Sequence, residues 1–496
     1  MLELIIIGAE IAQQPKGLPL AASTVGGHLR KRQSDVDFWR EVRDCDLLNE
    51  TTGALWWSYQ HLDEQVRRCF VYCSIFPKRY GLNQDELVKL WVAEGFIQTT
   101  NAEEDMEAIG QHYFHELLAT SFVHDENSFV QLGGYYQGSL CYLVHDLMHD
   151  LAENATGSDC FRTENGSRRE VPHDVRHLFV ANGRIVTEEF FKLKNLRTLV
   201  IDYMELAPAN KEFFEKVFEK LQKLRVLTIE TSWTLHLQEL MFGYASDVDV
   251  SSDINMGNLT NLRHIIGGEI AMHIPNIGRL ISLQTIETFD VRREHGYESK
   301  QLRDLNKLRG GLTIQNLENV ESKKEAHEAK LADKKGLTEL RLFWVNDRAC
   351  TPEVQAEVLE GLCPPKDLKS LEVWRYPSWM VGEQNGGPKH LNELIFHDCS
   401  RLRPAPELFE HLIHLLHLLI AECCWDHLTD NVKDLRFLKS LTIRLCWYLE
   451  SLPELPRSLQ KFKVSYCNGE YMSSCKQIGH LNLQKLQHVE AKEFVH

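Results

Sequence analysis

A leucine-spaced phrase that returns every 21 to 24 residues near the carboxyl terminus constrains the fold more than any other feature. Each copy has leucine, two residues, a large apolar residue, one residue, a second apolar residue, two residues and cysteine. The four copies end at Cys399, Cys423, Cys446 and Cys467. Because leucine-rich repeats have periods of about 20–29 residues, the phrase predicts a stack of such repeats.

Looser copies extend the pattern toward the centre of the chain, giving about a dozen repeats. They begin at Leu193, Leu221, Leu337 and Leu368, with further members at 259–265 and 280–286. Alternating apolar positions form a short strand with one inward face, and neighbouring repeats must stack to bury that face. We therefore predict a leucine-rich-repeat horseshoe over residues 170–496, with a protein partner bound on its concave face.

Candidate contact residues lie within or just after the predicted strands, and aromatic and arginine side chains are common interface anchors. For any single one of them, an ordinary surface or packing role is the favoured interpretation. They are Trp374, Arg375, Tyr376, His397, Arg444, Trp447, Ser465 and Tyr466. The cysteines of the phrase occur once per repeat and not in CxxC pairs, so packing is favoured over a zinc site.

Charge and composition exclude several classes of partner. The net charge is −16, from 55 basic and 71 acidic residues, so nucleic acid and anionic membranes are disfavoured. The amino terminus lacks a basic leader, and no apolar run approaches the roughly 18 residues of a membrane span. We expect a cytoplasmic protein without a membrane span.

Residues 55–160 carry no repeat and predict helices with a small strand pair. Asn83 is placed to cap a helix that stops near Gly95, and Pro77 separates it from the preceding helix. Further helices are predicted over 103–118 and 146–153. A hairpin is predicted from 122–124 and 129–132 across 125–128, with an added strand at 141–144. These elements resemble a winged-helix arrangement.

Several motifs now carry a family resemblance. GLPLAA at 17–22, CFVYCSIFPKRY at 69–80, LVKLWVAEGFI at 87–97, VHDLMHDLA at 144–152 and the phrase at 308–344 occur in that order. They resemble the GLPL motif, the winged-helix segment, the MHD motif and a repeat phrase of plant nucleotide-binding leucine-rich-repeat disease-resistance proteins of the coiled-coil class. Val144 stands where the MHD motif has methionine.

The resemblance implies a nucleotide-controlled switch of innate immunity that is not an enzyme. In that family the NB-ARC module holds ADP at rest, and exchange for ATP opens the receptor. The repeats sense a pathogen effector or a guarded host protein. By resemblance, Pro19 packs near the nucleotide base, His145 contacts the terminal phosphate of ADP, and Asp146 supports that arrangement.

The sequence departs from the family at the phosphate cradle. A P-loop requires GxxxxGK[ST], and this sequence contains no Gly-Lys dipeptide. We therefore expect residues 1–54 to be the end of a truncated NB-ARC helical subdomain, followed by a winged-helix-like domain over 55–160. We expect no cofactor for this chain alone, with ADP binding weak or lost.

Alternative functions remain open from the sequence. His145 and His149 are spaced to share a helix face as metal ligands, but a zincin would need a glutamate and a third ligand. Arg67, Arg68, Lys78 and Arg79 could form a DNA-binding patch on the winged helix. The chain could also be a decoy that modulates an intact receptor, or a repeat adaptor unrelated to immunity.

Overall fold

The computed structural model describes most of the chain. The described residues are 2–14, 19–98, 106–126, 141–163, 170–181, 188–204, 210–231, 259, 261–266, 274–345, 351–374, 388, 390–397, 409 and 412–495. Two compact units are present, Met1–Asp247 and Val248–His496. In the described part of the chain, no helix is both long and apolar enough to cross a membrane.

The first unit begins with helices and continues into short strands. Its helices are α1 Leu2–Gln13, α2 Pro19–Lys31, α3 Val36–Arg43, α4 Thr51–Gln60, α5 Glu64–Tyr72, α6 Gln84–Glu94, α7 Met106–Ala119, α8 Asp146–Thr156 and α9 Asn210–Lys220. Its strands are β1 Val123–Glu126, β2 Cys141–Val144, β3 Cys160–Thr163, β4 His177–Val180, β5 Thr198–Met204 and β6 Val226–Thr231. Helix α1 packs against α3, α2 against α4, α5 against α8, and α6 against α7.

Helix α6 has the ends that the sequence predicts. The Asn83 side chain accepts hydrogen bonds from the backbone N–H groups of Asp85 and Glu86, at 2.9 and 3.2 Å. Gly95 ends the helix in the left-handed conformation, with φ 76°. On its buried face, Trp91 lies 6.3 Å from the Phe114 ring of α7, measured between ring centroids. These contacts fix α6 and α7 as one packed pair.

The predicted hairpin is wrong in its position. Residues 125 and 126, predicted to turn, belong to β1 instead. That strand pairs antiparallel with β2, from Val123 opposite Val144 to Glu126 opposite Cys141. The predicted partner at 129–132 lies outside the described residues. Asp125 and Glu126 are polar residues with low strand propensity, and the sequence therefore predicts them in the turn. Pairing with β2 overrides that propensity.

The four strands β3–β6 form a parallel ladder in chain order. Leu178, Leu199 and Leu227 occupy equivalent positions on β4, β5 and β6, and all three are buried. The ladder therefore has the stacked apolar positions that the repeat phrase predicts. It begins at β3, just before residue 170, where the solenoid was expected to start.

The second unit is dominated by parallel strands. They are β7 His264–Ile266, β8 Thr285–Ile286, β9 Thr288–Asp290, β10 Arg309–Gln315, β11 Gly336–Leu342, β12 Ser370–Val373, β13 Glu393–His397, β14 His417–Ala421, β15 Ser440–Arg444, β16 Lys461–Ser465 and β17 Ala491–Val495. The helices are α10 Lys323–His327, α11 Pro352–Gly361, α12 Gly469–Ser474 and α13 Leu481–Lys485. Strands β9 to β17 form one nine-stranded sheet in chain order.

The register of this sheet aligns the repeat phrase from strand to strand. Leu371, Leu394, Leu418, Leu441 and Phe462 hold equivalent positions on β12–β16 and are fully buried. Burial of each of these side chains stabilises the fold by about 1.5–3 kcal/mol. A single repeat could not bury its side chain, because the neighbouring repeats form the other wall of the core. The predicted solenoid of leucine-rich repeats is therefore confirmed.

The cysteines of the phrase turn inward after the strands. Cys423, Cys446 and Cys467 are buried, whereas Cys399 lies outside the described residues. The Cys446 thiol donates to the Ile420 carbonyl at 3.7 Å, one strand back. Hydrogen bonding to the Cys423 thiol, together with burial, raises the pKa of Cys446 to about 12. The thiols therefore stay protonated and act as packing groups.

A left-handed residue precedes each of these cysteines. Glu422, Leu445 and Tyr466 have φ values of 57°, 54° and 54°. This conformation is uncommon for residues with a side chain, and its return at the same repeat position marks it as part of the turn. It reverses the chain after the strand, so that the cysteine side chain points into the core.

Candidate functional site

The amino terminus of α8 carries two of the three predicted nucleotide contacts. His145 is the N-cap residue, and its Nδ1 accepts a hydrogen bond from the Leu147 N–H at 3.2 Å. In a neutral imidazole the other ring nitrogen then carries the proton. Since His145 is exposed, its Nε2–H is available to donate to an anion.

Asp146 is held beside the same helix end. Its Oδ2 lies 3.3 Å from Nη2 of Arg79, whose side chain is 80% exposed. An exposed pair of this kind contributes only a few tenths of a kcal/mol, so it orients Asp146 more than it stabilises the fold. A carboxylate at a helix amino terminus is also favoured by the helix dipole.

Pro19, the third predicted nucleotide contact, has no described contact with the other two. It is exposed and is the first residue of α2, where a missing N–H costs nothing. Helix α2 packs against α4. Among the described residues, no hydrogen bond, ion pair or ring contact joins Pro19 to His145 or Asp146. The role of Pro19 at the nucleotide base stays a prediction.

His149 is hydrogen-bonded to the backbone of the preceding segment. Its Nε2–H donates to the Phe76 carbonyl at 2.8 Å, and the ring is buried. Burial lowers its pKa, so the ring stays neutral at physiological pH. The alternative in which His145 and His149 together bind zinc is disfavoured, because among the described residues the group of possible ligands around His149 does not include His145.

A possible ligand group does form around His149, with Asp150 and Glu153 as the other members. Ligand atoms of the three lie within 4.8 Å of one another. Both carboxylates already have cationic partners, since Lys78 lies 2.5 Å from Asp150 and Arg162 pairs with Glu153. This arrangement neutralises the acids and favours a structural role over metal binding.

Arg162 is a structural residue beside this site that the sequence does not signal. It donates to the carbonyls of Ser74 and Phe76, the latter at 3.2 Å, and pairs with Glu153. It thereby joins α8 to the segment at 69–80. No motif signals this position, because Arg162 follows the helix in β3 and reaches its partners only through the tertiary fold.

The sheet of the second unit presents a row of side chains opposite its core, here called the outer row. Register pairs its members from strand to strand. They are Arg341, Glu372, Ile395, Leu419, Thr442, Lys463 and Glu493. Arg341 lies 3.3 Å from Glu372 at one end, and Lys463 lies 3.3 Å from Glu493 at the other. The centre is therefore apolar and half-buried, with charged ends.

Exposed aromatic residues follow the last strands. Trp447 is 57% exposed, Tyr448 62% and Tyr466 40%. Trp447 and Tyr466 were predicted as contact residues, whereas Tyr448 was not singled out. Large exposed rings next to a strand edge are the side chains that most often anchor protein interfaces.

The other predicted contact residues have mixed placements. Trp374 is half-buried, and residues 375 and 376 lie outside the described part. His397 lies 3.0 Å from Glu372, and Arg444 lies 3.7 Å from Glu422. Ser465 is 4% exposed, which fits the packing role that was the favoured interpretation for any single candidate. Ser465 is the last residue of β16, and its backbone carbonyl accepts a hydrogen bond from the Leu445 N–H.

Two family models match this chain. The model described as "Disease resistance protein Winged helix domain" matches residues 75–152. The model described as "R13L1/DRL21 LRRs" matches residues 299–424. The first covers α6–α8 and the hairpin, and the second covers β10–β14.

Similar curated proteins are plant proteins named for disease resistance. Putative disease resistance protein RGA4 of Solanum bulbocastanum is 29% identical over 399 residues, covering 76% of this chain and 39% of that protein. Putative disease resistance protein At3g14460 of Arabidopsis thaliana is 30% identical over 465 residues, covering 82% and 32%. This chain therefore spans less than half the length of these relatives. Among solved structures, a Leptospira interrogans LRR protein aligns over 69% of this chain and 92% of that chain, with 15% identity and a TM-score of 0.35.

Proposed function

This chain carries the winged-helix domain and the leucine-rich repeats of plant disease resistance proteins, and from that premise we propose that it recognises a protein partner in defence. The partner is a pathogen effector or a host protein that an effector modifies. It binds the outer row, and the protein acts in the cytoplasm as a receptor component without catalytic activity of its own.

The outer row is the observation that carries this proposal. Its centre, Ile395 and Leu419, is apolar and half-buried, and its ends are ion pairs. Protein interfaces have this arrangement, with an apolar centre and a polar rim that excludes water. The exposed rings of Trp447 and Tyr466 supply large anchors beside the row.

The first test traps the partner on this face. The photoreactive amino acid p-benzoylphenylalanine replaces Tyr466 in one form of the protein and Lys433 in a matched form. Lys433 is also exposed, but it lies in the 3-10 helix Asp430–Asp434, away from the strands. After irradiation of infected leaf tissue, we expect a discrete adduct from position 466 and little from position 433. Equal adducts from both positions, or none from 466, would contradict the proposed face.

We further propose that nucleotide binding plays no part in partner recognition by this chain alone. His145 offers one N–H donor, and the Asp146 carboxylate is paired with Arg79. These residues do not by themselves make a phosphate cradle, which needs several backbone N–H groups and a lysine. The nucleotide contacts that the resemblance implies for Pro19 and His145 therefore require the remaining parts of a phosphate cradle.

A further inference from the structure

A polar cavity of about 550 Å³ lies within the first unit, between α5, α6 and α8 on one side and β3–β5 on the other. Arginines dominate its charged lining. The charged residues in its wall are Arg68, Arg176, Arg197, Arg225, Glu94 and Asp159. Arg68 is already paired with Glu64 on the same helix, so the other three guanidinium groups face two carboxylates and leave an excess of positive charge.

Three of these arginines form a column, one on each successive strand. The Arg197 N–H donates to the Arg176 carbonyl at 2.7 Å, and the Arg225 N–H donates to the Arg197 carbonyl at 2.7 Å. They therefore hold the same place just before β4, β5 and β6. Adjacent strands lie about 4.8 Å apart, so like charges are stacked at short range.

The two carboxylates serve the outer members of the column. Asp159 lies 3.4 Å from Arg176, and Oε2 of Glu94 lies 3.8 Å from Arg225. Among the described residues, Arg197 has no carboxylate within ion-pair distance. Burial, and then the charge of Arg225, lowers the pKa of Arg197, while the charges of Glu94 and Asp159, beyond ion-pair distance, act in the opposite direction.

Glu94 belongs to a buried hydrogen-bond network beside the column. The Thr198 hydroxyl donates to Oε1 of Glu94 at 2.7 Å, and Tyr72 lies 3.1 Å from the same hydroxyl. Nδ1 of His177 also lies 3.2 Å from the Thr198 hydroxyl oxygen. Because burial lowers the pKa of His177 to about 3, this ring is neutral and adds no further positive charge to the cavity. The wall of the cavity therefore includes a connected network of buried polar groups.

We propose that this cavity binds a small molecule carrying two or more phosphate groups. Guanidinium forks match phosphate oxygens in pairs, and a column of three suits phosphates that follow one another. The cavity volume falls within the roughly 300–1,000 Å³ typical of small-molecule sites. This site is separate from His145 and from the outer row, and it does not depend on the proposed partner recognition.

The test is calorimetric titration of the full chain with tripolyphosphate, fructose 1,6-bisphosphate and inorganic phosphate. We expect tripolyphosphate to bind more tightly than phosphate, and affinity to fall with added salt. If fructose 1,6-bisphosphate binds about as tightly as tripolyphosphate, the cavity accepts organic phosphates. If fructose 1,6-bisphosphate does not bind, the ligand is free polyphosphate. Arg197→Gln should weaken tripolyphosphate binding about tenfold or more, because charge-assisted hydrogen bonds are lost.

The matched control is Arg436→Gln, which removes one exposed arginine from the second unit and should leave affinity unchanged. Arg176→Gln provides a second cavity variant, since that side chain is 48% exposed and tolerates replacement. Equal tripolyphosphate affinity in wild type and both cavity variants would overturn the proposal. So would tripolyphosphate binding no tighter than that of phosphate.

Discussion

At the scale of single residues, His145 shows how a motif position can serve folding and still keep a free donor. Its Nδ1 caps α8, which fixes the proton on Nε2. The sequence predicted a phosphate contact here by resemblance, and the capping geometry gives that role a physical basis. It does not add the other donors that a nucleotide requires.

ADP binding by this chain tests that limit. We expect isothermal titration with ADP to show no micromolar affinity, because one imidazole N–H to a charged phosphate supplies about 1.5–3 kcal/mol, far below the roughly 8 kcal/mol that micromolar binding requires. His145→Ala should leave the titration unchanged. A micromolar dissociation constant that His145→Ala abolishes would show that the chain holds a working nucleotide site.

Arg162 shows what residue-level prediction cannot supply. Its partners at Ser74 and Glu153 lie 88 and 9 residues away in the chain. The segments that they belong to were both singled out as motifs, yet nothing in either motif names the arginine that joins them. Contacts of this kind depend on the tertiary fold, which local spacing does not encode.

At the scale of elements, prediction succeeded where a period or a cap was strong. The leucine phrase placed β13–β16, and Asn83 with Gly95 placed both ends of α6. It failed at the hairpin, because Asp125 and Glu126 favour turns locally but pair with β2 in the fold. It also missed the arginine column, because only the register of β4–β6 aligns Arg176, Arg197 and Arg225.

Adjacent cysteines test the strand register. Cys423 is buried and Cys424 is exposed, and a shift of one residue would exchange their positions. We expect N-ethylmaleimide to label Cys424 in the native protein within minutes and to spare Cys423, Cys446 and Cys467 until urea is added. Peptide mass spectrometry resolves the two sites. Labelling of Cys423 before Cys424 would show that the register is wrong.

At the scale of the whole molecule, the fold class followed from sequence because repeats make most contacts between neighbours. The winged-helix domain followed from motif order more than from periodicity. Which face binds a partner could not be predicted to the residue, because the outer row exists only once register aligns seven strands. Arg341 and Glu372 are 31 residues apart in sequence and 3.3 Å apart in space.

The central claim is that the outer row recognises a partner in defence, and one pair of variants tests it most directly. Leu419→Glu places a charge at the apolar centre of the row, and Ile413→Glu makes the same change at a more exposed site just before β14. Burying an unpaired carboxylate at an interface weakens binding by about tenfold or more.

The measurement is pathogen growth in plants whose own copy is disrupted and replaced by each variant at equal protein level. We predict that Ile413→Glu restores resistance as wild type does, whereas Leu419→Glu leaves growth as high as in the disrupted line. Full resistance with Leu419→Glu would contradict the account.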